Sequence, residues 1–392
     1  MKKILVSGAG IAGPAFVHAL QQLGPRDVAC TVVERATSLR VGGQAVDFRG
    51  PVHRAVLERL DLWQPIHARR TTPGELVLLD GSGGAAAVIP AVMMAGDVEL
   101  LRGDLCALLH ERTCDRAEYR FGDHIVALTN RDDGVDVTFA SGHAESFDAV
   151  VGADGLHSGV RAHAFGPESA FLRHHGYRIA SFALPDSLGF HRGALLYSEP
   201  GRAASLSATG RRGESRALLV YRGEPMGADR TDVAAQKSAI RETFRGMGWE
   251  VSRVLDALDA ANDLYVDAIT TVHVERYAHQ RAVLLGDAAY GGTLGGQGTS
   301  LGIVGGYVLA GELARGGTFE DAVAHYEARM RPYASNCQKG AVRAGSFFAP
   351  KTRAGLWLRN FAYGVLTTRV MSGVFERIVK ESASDFALPE YA

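Results

Sequence analysis

A short apolar run, Ile4-Leu5-Val6, leads into Gly8-Ala9-Gly10-Ile11-Ala12-Gly13, and then into a segment with Phe16, Val17, Leu20 and Leu23 on one helical face. A second apolar run, Val28 to Val33, ends at Glu34-Arg35. Strand, glycine turn, helix and strand in that order predict a parallel unit of about 30 residues. Its glycines permit a tight turn and let backbone approach a pyrophosphate, which the helix N-terminus stabilises. Glu34 stands where an acid can accept the 2′-hydroxyl of an adenosine ribose. Its charge disfavours a 2′-phosphate, so the nucleotide expected is FAD or NAD rather than NADP. A glycine-rich turn alone would read equally as packing with no ligand.

Two later strands end in similar corners. Ala149-Val150-Val151-Gly152 leads into Asp154-Gly155-Leu156-His157-Ser158-Gly159-Val160-Arg161, with Asp154, Ser158 and Arg161 along one side of a helical turn. Ser158 reads equally as an N-cap, and Arg161 as a solvated charge. Arg281-Ala282-Val283-Leu284-Leu285 leads into Gly286-Asp287-Ala288-Ala289, and Leu294-Gly295-Gly296-Gln297-Gly298-Thr299-Ser300 opens a helix. A carboxylate at a strand's C-terminal end accepts bonds from polyol hydroxyls. Glycines before a helix let a planar ring lie against backbone, and free N–H groups there stabilise developing negative charge. Gly302, Gly305, Gly306 and Gly311 read as close helix–sheet packing.

At 392 residues the chain exceeds one hydrophobic core, and two or three structural units are expected. Helices are predicted at 51–61, 103–112, 232–246, 250–259 and 299–314, with a hairpin at 75–89 and an antiparallel meander over 118–150. Strands at 177–184, 193–198 and 217–222 read as a second sheet. From 319 to 382 the pattern is helical, with breaks expected at Pro332 and Pro350. Phe347, Phe348, Trp357, Phe361 and Tyr363 read first as core of a C-terminal helix, with lining of a pocket for a large flat substrate as the alternative. His174, His175, His191 and His273 read as solvated or core histidines.

Lys plus Arg (42) against Asp plus Glu (43) leaves no excess to displace counterions from nucleic acid. No apolar stretch reaches 18 residues, so no membrane span is expected. Cys30, Cys106, Cys114 and Cys337 are scattered without zinc-ligand spacing, which favours a reduced cytoplasmic protein with no metal. No G-x-S-x-G elbow marks a hydrolase.

Together, the GxGxxG with its terminal acid, the D-G-x-x-S-x-x-R and the R-x-x-L-x-G-D-A-A followed by G-x-G resemble the class A flavin-dependent aromatic monooxygenases. This para-hydroxybenzoate hydroxylase-like family includes tetracycline-inactivating monooxygenases. The resemblance covers most of residues 1–330. It implies an α/β fold with a Rossmann-like (glutathione-reductase-type) FAD domain at 1–73, 97–170 and 270–318. An inserted β-sheet substrate domain at 74–96 and 171–269, and a C-terminal helical segment at 319–392, complete the implied architecture.

By the same resemblance, Gly8, Gly10 and Gly13 meet the FAD pyrophosphate and Glu34 the adenosine ribose, with Ala12 and Arg35 among the cofactor-binding residues. Gln44 and Asp47, in Gly42-Gly43-Gln44-Ala45-Val46-Asp47, lie beside the flavin ring. Arg102 approaches the ribityl chain and pyrophosphate, a role that also accounts for a cation at a helix start, where the dipole disfavours it. Asp154 belongs to a motif used for both FAD and the nicotinamide cofactor, and Asp287 binds the ribityl or pyrophosphate region. Gly298, Thr299 and Ser300 offer N–H groups to the pyrimidine edge of the ring. No catalytic side chain is assigned. Tyr290-Gly291-Gly292-Thr293-Leu294 replaces the family's usual prolines, which implies a more flexible loop in front of the flavin.

The implied activity is reduction of FAD by NAD(P)H as a transient co-substrate, then addition of O2 at flavin C4a to form a hydroperoxide. That species oxygenates an aromatic small molecule, expected to be a polycyclic natural product. Hydroxylation, epoxidation and ring-opening insertion all stay open, as do NADH against NADPH and the oligomeric state. Two alternatives stand beside this: a same-fold FAD reductase or dehydrogenase without oxygen insertion, and a non-catalytic flavin-binding tailoring partner. A flavin halogenase is disfavoured, since Trp63, Trp249 and Trp357 stand alone with no W-x-W-x-I-P run.

Overall fold

The computed structural model describes residues 3–39, 43–72, 74–94, 96–186, 189, 192–211, 213–225, 232–294, 297–367 and 386–391. The first unit forms as its sequence dictates: strand Lys3–Ser7, helix Ala12–Leu23 and strand Ala29–Glu34, with the two strands parallel. Ile4, Leu5, Val6, Val32 and Val33 are buried, the signature of a parallel sheet covered on both faces. Six strands line up in the spatial order Ala278–His279, Ala282–Leu284, Ala149–Gly152, Lys3–Ser7, Ala29–Glu34 and Ala117–Phe121. All neighbours are parallel except the short edge pair at Ala278–His279. Each of the three glycine-bearing corners therefore leaves the carboxyl end of a central strand.

The meander expected over 118–150 is shorter than its alternation implied. Only Ile125–Asn130, Val135–Phe139 and Ala144–Phe147 form an antiparallel sheet, while Ala117–Phe121 adds in parallel to Ala29–Glu34. As an edge strand it is partly exposed, and partial exposure gives a parallel strand the same two-residue rhythm as an antiparallel one.

A second, seven-stranded sheet has the order Tyr265–Val272, Leu172–Pro185, Glu214–Arg222, Arg202–Ala208, Ala194–Glu199, Leu76–Leu79 and Ala85–Ile89. Its one parallel pair is Leu76–Leu79 with Ala194–Glu199. One face packs through Phe182, Leu219 and Tyr221 on helices Val233–Phe244 and Val251–Ala260. The other carries Tyr177, Ile179, Val220 and Ile269 and is met by Phe347, Phe348 and Ala349. Arg202–Ala208 escaped the sequence reading because Arg-Ala-Ala-Ser-Leu-Ser-Ala has little β propensity; its two neighbours impose the conformation. Tyr265–Val272 continues past residue 269, across the boundary expected between the two parts of the chain.

Pro332 does not break the last long helix, which runs from Phe319 to Phe348. Pro332 and Ala328 both lie on its exposed side, so water can satisfy the carbonyl that loses its N–H donor. Pro350 does lie at an interruption, before helix Arg353–Leu366. Tyr363 on that helix meets Phe347 of the preceding one edge to face, but Trp357 and Phe361 are 65% and 56% exposed, outside any core. The inward face is taken instead by Arg359, whose guanidinium bonds the Phe347 and Phe348 carbonyls at the end of the preceding helix and Ser198 Oγ. Two residues either way along a helix is the opposite face, so Trp357 and Phe361 point outward.

Residues 386–391 return to the first sheet's helices. Phe386 stacks on Tyr333, Arg59 donates to the Pro389 carbonyl at 2.7 Å, and the Tyr391 hydroxyl donates to Glu312 at 2.8 Å. The Tyr391 ring occupies the space a Cβ at Gly311 would need. Helix Gly298–Ala314 is likewise shaped by missing side chains, since a Cβ at Gly306 would lie 2.9 Å from the Phe16 nitrogen. Gly306→Ala is expected to lower unfolding free energy by about 1–3 kcal/mol in urea titration. Gly364→Ala, in a helix position with nothing within 4 Å, is expected to be neutral or stabilising.

Candidate functional site

Gly8 has φ +110°, and a Cβ there would sit 2.4 Å from the Ala153 carbonyl oxygen; one at Gly13 would sit 2.2 Å from the Gly8 oxygen. Gly8 N–H donates to Val33 O and Ala153 N–H to Ser7 O, both at 2.8 Å, so the turn is pinned between the ends of three strands. Helix Ala12–Leu23 begins after Ile11 with no side-chain cap and no acid in its first turn. Its first N–H groups therefore keep their partial positive charge for an anion from outside. Glu34 holds the turn from the far side. Its Oε2 accepts from Ala9 N–H and its Oε1 from Ala36 N–H, each at 2.9 Å, and each oxygen retains a second lone pair. Arg35 beside it is exposed.

The other sequence-selected residues close on this turn. The Ala12 Cβ lies 2.9 Å from the Cβ position of Gly286 and 3.2 Å from that of Gly302. Asp287 Oδ1 is 3.2 Å from the Cβ position of Gly298, and Ser300 Oγ donates to the Asp47 carbonyl at 3.2 Å. Arg102 opens helix Arg102–Thr113; its Nη2 is 3.8 Å from the Cβ position of Gly10. Its backbone N–H donates to Gln44 O at 3.1 Å. Gln44 Nε2 in turn donates to Ser181 Oγ at 3.4 Å, on the seven-stranded sheet. Gly10, Gln44, Asp47, Arg102, Asp287 and the helix start Gly298-Thr299-Ser300 thus border one cleft beside the second sheet.

Asp287 reaches solvent through that cleft while protein surrounds it on its other sides. Its removal from bulk water raises the carboxyl pKa, and Arg102 works against the rise. Burial raises Asp47 in the same way, opposed by Arg49 at 3.3 Å.

At the middle corner, Asp154 Oδ2 accepts from Val160 N–H at 3.0 Å and Ser7 Oγ at 3.3 Å, while its buried Oδ1 has no partner. Ser158 is the N-cap of helix Gly159–Ala164, accepting from Arg161 N–H at 3.0 Å. Arg161 is not a solvated charge. It is fully buried, bonding the Ala288 carbonyl at 2.9 Å and the Leu156 carbonyl at 2.6 Å, and so ties this corner to the Asp287 helix.

Two polar groupings went unseen in the sequence. Ser181 Oγ accepts from the buried Arg216 Nε at 2.9 Å, and Arg216 Nη1 pairs with Asp263 at 2.8 Å. His157 lies between Glu168 (Nδ1 to Oε2, 2.8 Å) and Asp267 (Nε2 to Oδ2, 3.1 Å), and Tyr265 donates to Asp267 Oδ2 at 2.8 Å. The only local hint was the two-residue spacing of Tyr265 and Asp267, which puts both on one strand face. Burial alone would lower the His157 pKa, but its bonds to Asp267 and Glu168 outweigh that and raise it to about 9.

His174 bonds the Gly223 carbonyl, while His175 and His273 both meet Thr271 Oγ1. Gly42, His191, Gly295 and Gly296 lie outside the described residues. Among the described residues no group of three or more His, Cys, Asp and Glu could hold a metal, and no helix is long and apolar enough to cross a membrane.

No protein-family model matches the chain. A flavin-dependent monooxygenase of Legionella longbeachae is 33% identical over 355 residues, spanning 89% of this chain and 90% of its own length. The crystal structure of tetracycline destructase Tet(55) superposes with TM-score 0.83 at 32% identity, covering 100% of this chain and 99% of that one. That of tetracycline destructase Tet(51) gives TM-score 0.85 at 28% identity, again over 100% and 99%.

Because His157 has a higher pKa folded than its ordinary 6.5, the stability it contributes is complete below about pH 6.5 and lost as pH rises through about 9. The melting-temperature gap between wild type and His157→Gln should therefore be widest near pH 6 and close above about pH 9 by scanning calorimetry.

Proposed function

The chain belongs to the class A flavin-dependent monooxygenases, and from that membership we propose that it binds one FAD and uses NAD(P)H and O2 to oxygenate an electron-rich, multi-ring aromatic. The observation that carries this reading is the meeting of the Gly8–Gly13 turn, Arg102, Asp287 and the Gly298 helix start at one cleft. FAD fits the residues present. A side chain at Gly10 would enter open space facing the Arg102 guanidinium, the Ala12–Leu23 helix start is uncapped, and a buried Asp154 oxygen lacks a donor.

Bound FAD would accept a hydride from NAD(P)H and activate O2 for transfer of one oxygen atom. The chain's own residues do the rest. The first amides of helix Ala12–Leu23 and the Arg102 guanidinium neutralise pyrophosphate charge. Glu34 accepts from the adenosine ribose with the lone pairs its backbone donors leave open, with Arg35 alongside. Asp287 accepts from ribityl hydroxyls. Gln44 and Asp47 flank the ring, and the N–H groups of Gly298, Thr299 and Ser300 orient its polar edge and stabilise charge that develops there.

The division of labour proposed is FAD binding by 1–73, 97–170 and 270–318 and substrate binding by 74–96 and 171–269, with the helices of 319–392 closing the joint. Substrate then lies between the cleft and the inner face of the seven-stranded sheet, where water is excluded. Likeness to two tetracycline destructases supports a fused-ring substrate. The nicotinamide cofactor visits transiently, since the sequence of 171–392 holds no second strand–GxGxxG–helix dinucleotide unit. Four free cysteines suit a reducing cytoplasm.

The purified protein should quench flavin fluorescence on titration with FAD, and an aromatic substrate should stimulate NADPH oxidation with matching O2 uptake. Mass spectrometry should then find a product heavier by one oxygen atom. NADPH oxidation without oxygen in the product would identify the reductase instead, and failure to take up FAD would remove the function altogether. Arg102→Ala is expected to weaken FAD binding by about tenfold or more, equivalent to about 1.4 kcal/mol. Its exposed side chain makes an unchanged melting temperature without FAD the matching expectation.

A further inference from the structure

Four titratable side chains that the reaction above leaves unused form one hydrogen-bonded line from the cleft to the surface. Tyr265 begins it. Its side chain is partly exposed, it lies directly across the strand pair from Ser181, to which Gln44 donates, and Arg102 and Asp287 both act on it electrostatically. The hydroxyl donates to Oδ2 of the buried Asp267, whose Oδ1 accepts from Ala268 N–H at 2.7 Å. Asp267 faces Nε2 of His157, and Nδ1 of His157 faces Glu168, the last two half-buried at the outer end. Arg161, 3.9 Å from Glu168, is a further charge against this line among the described residues.

We propose that Tyr265 is a catalytic proton donor to the molecule held in the cleft, resupplied from solvent through Asp267, His157 and Glu168. The Tyr265 O–H bond breaks as a new bond to hydrogen forms at a basic atom in the cleft. The phenolic oxygen takes a proton through the Asp267 carboxyl, which takes it from Nε2 of cationic His157. The half-exposed imidazole keeps its Nδ1 proton on Glu168 and is then reprotonated from water at the vacated Nε2. One proton moves inward, no electrons are exchanged and no further reactant is needed. Two flanking carboxylates keep His157 charged through neutral pH, so the reservoir is filled where the enzyme works.

This proposal rests on the cleft being the FAD and substrate site, and FAD titration separates the two. If FAD does not bind wild type, that assignment fails and the relay with it. If FAD binds Tyr265→Phe and His157→Gln as tightly as wild type, the relay is tested alone. Both variants should then lose about a hundredfold in kcat with KM for NADPH unchanged. Added imidazole should restore much of the loss, because a small buffer can deliver the missing proton while no buffer repairs a misplaced strand.

Wild-type kcat should fall above about pH 9 as His157 empties, and that limb should vanish in His157→Gln. Without FAD, NMR titration should show the His157 pKa higher in Tyr265→Phe than in wild type, since Asp267 loses a donor and becomes the better acceptor. Unchanged kcat in both variants, or a loss that imidazole does not rescue, would overturn the proposal, as would a His157 titration indifferent to Tyr265.

Discussion

Backbone must touch backbone at the carboxyl ends of three parallel strands, and the rest of the architecture follows from that contact. The Gly8 turn presses on Ala153 after the second strand, Gly13 presses back on Gly8, and Ala12 fills the gap between Gly286 and Gly302. Apart from Val6 beneath Gly13, these contacts are made by backbone and by the Ala12 methyl group. Helix Ala12–Leu23 can therefore lie directly along helix Gly298–Ala314, with both N-termini opening at one end of the sheet. An isolated helix start is a weak electrostatic feature. Two starts with Arg102 beside them concentrate positive potential at one place.

Much of this was legible because glycine, acid and strand are local signals. The Gly8–Glu34 unit needs nothing beyond its own residues to declare itself, and the Asp154 and Asp287 corners repeat the form. Where the outcome depended on a distant partner, the sequence was mute or misleading. Arg161 looks like a surface charge until the Ala288 carbonyl, from a helix far downstream, arrives to bind it. Trp357 and Phe361 look like core until Arg359 claims the inward face of their helix. Pro332 looks like a break until its exposed setting makes the missing bond cheap.

Specific polar contacts join the two sheets among the described residues. Gln44 reaches Ser181, which is shared with Arg216, and Arg216 is anchored in turn by Asp263. His157 reaches Asp267 on the strand at the end of the same sheet. Both connections join a loop that borders the cleft to a strand that roofs it.

The docking of residues 386–391 has a consequence for how the protein is made. Tyr391 fills the hollow at Gly311 and Arg59 grips Pro389, so helix Gly298–Ala314 finds its full packing only after position 391 has emerged. The central sheet, too, must wait for Ala282–Leu284 to join Ala149–Gly152. On the ribosome the amino-terminal unit is present early but lacks its neighbours until residues 282–391 have emerged. Its apolar strands are exposed throughout that interval, and nascent-chain chaperones have most to protect there.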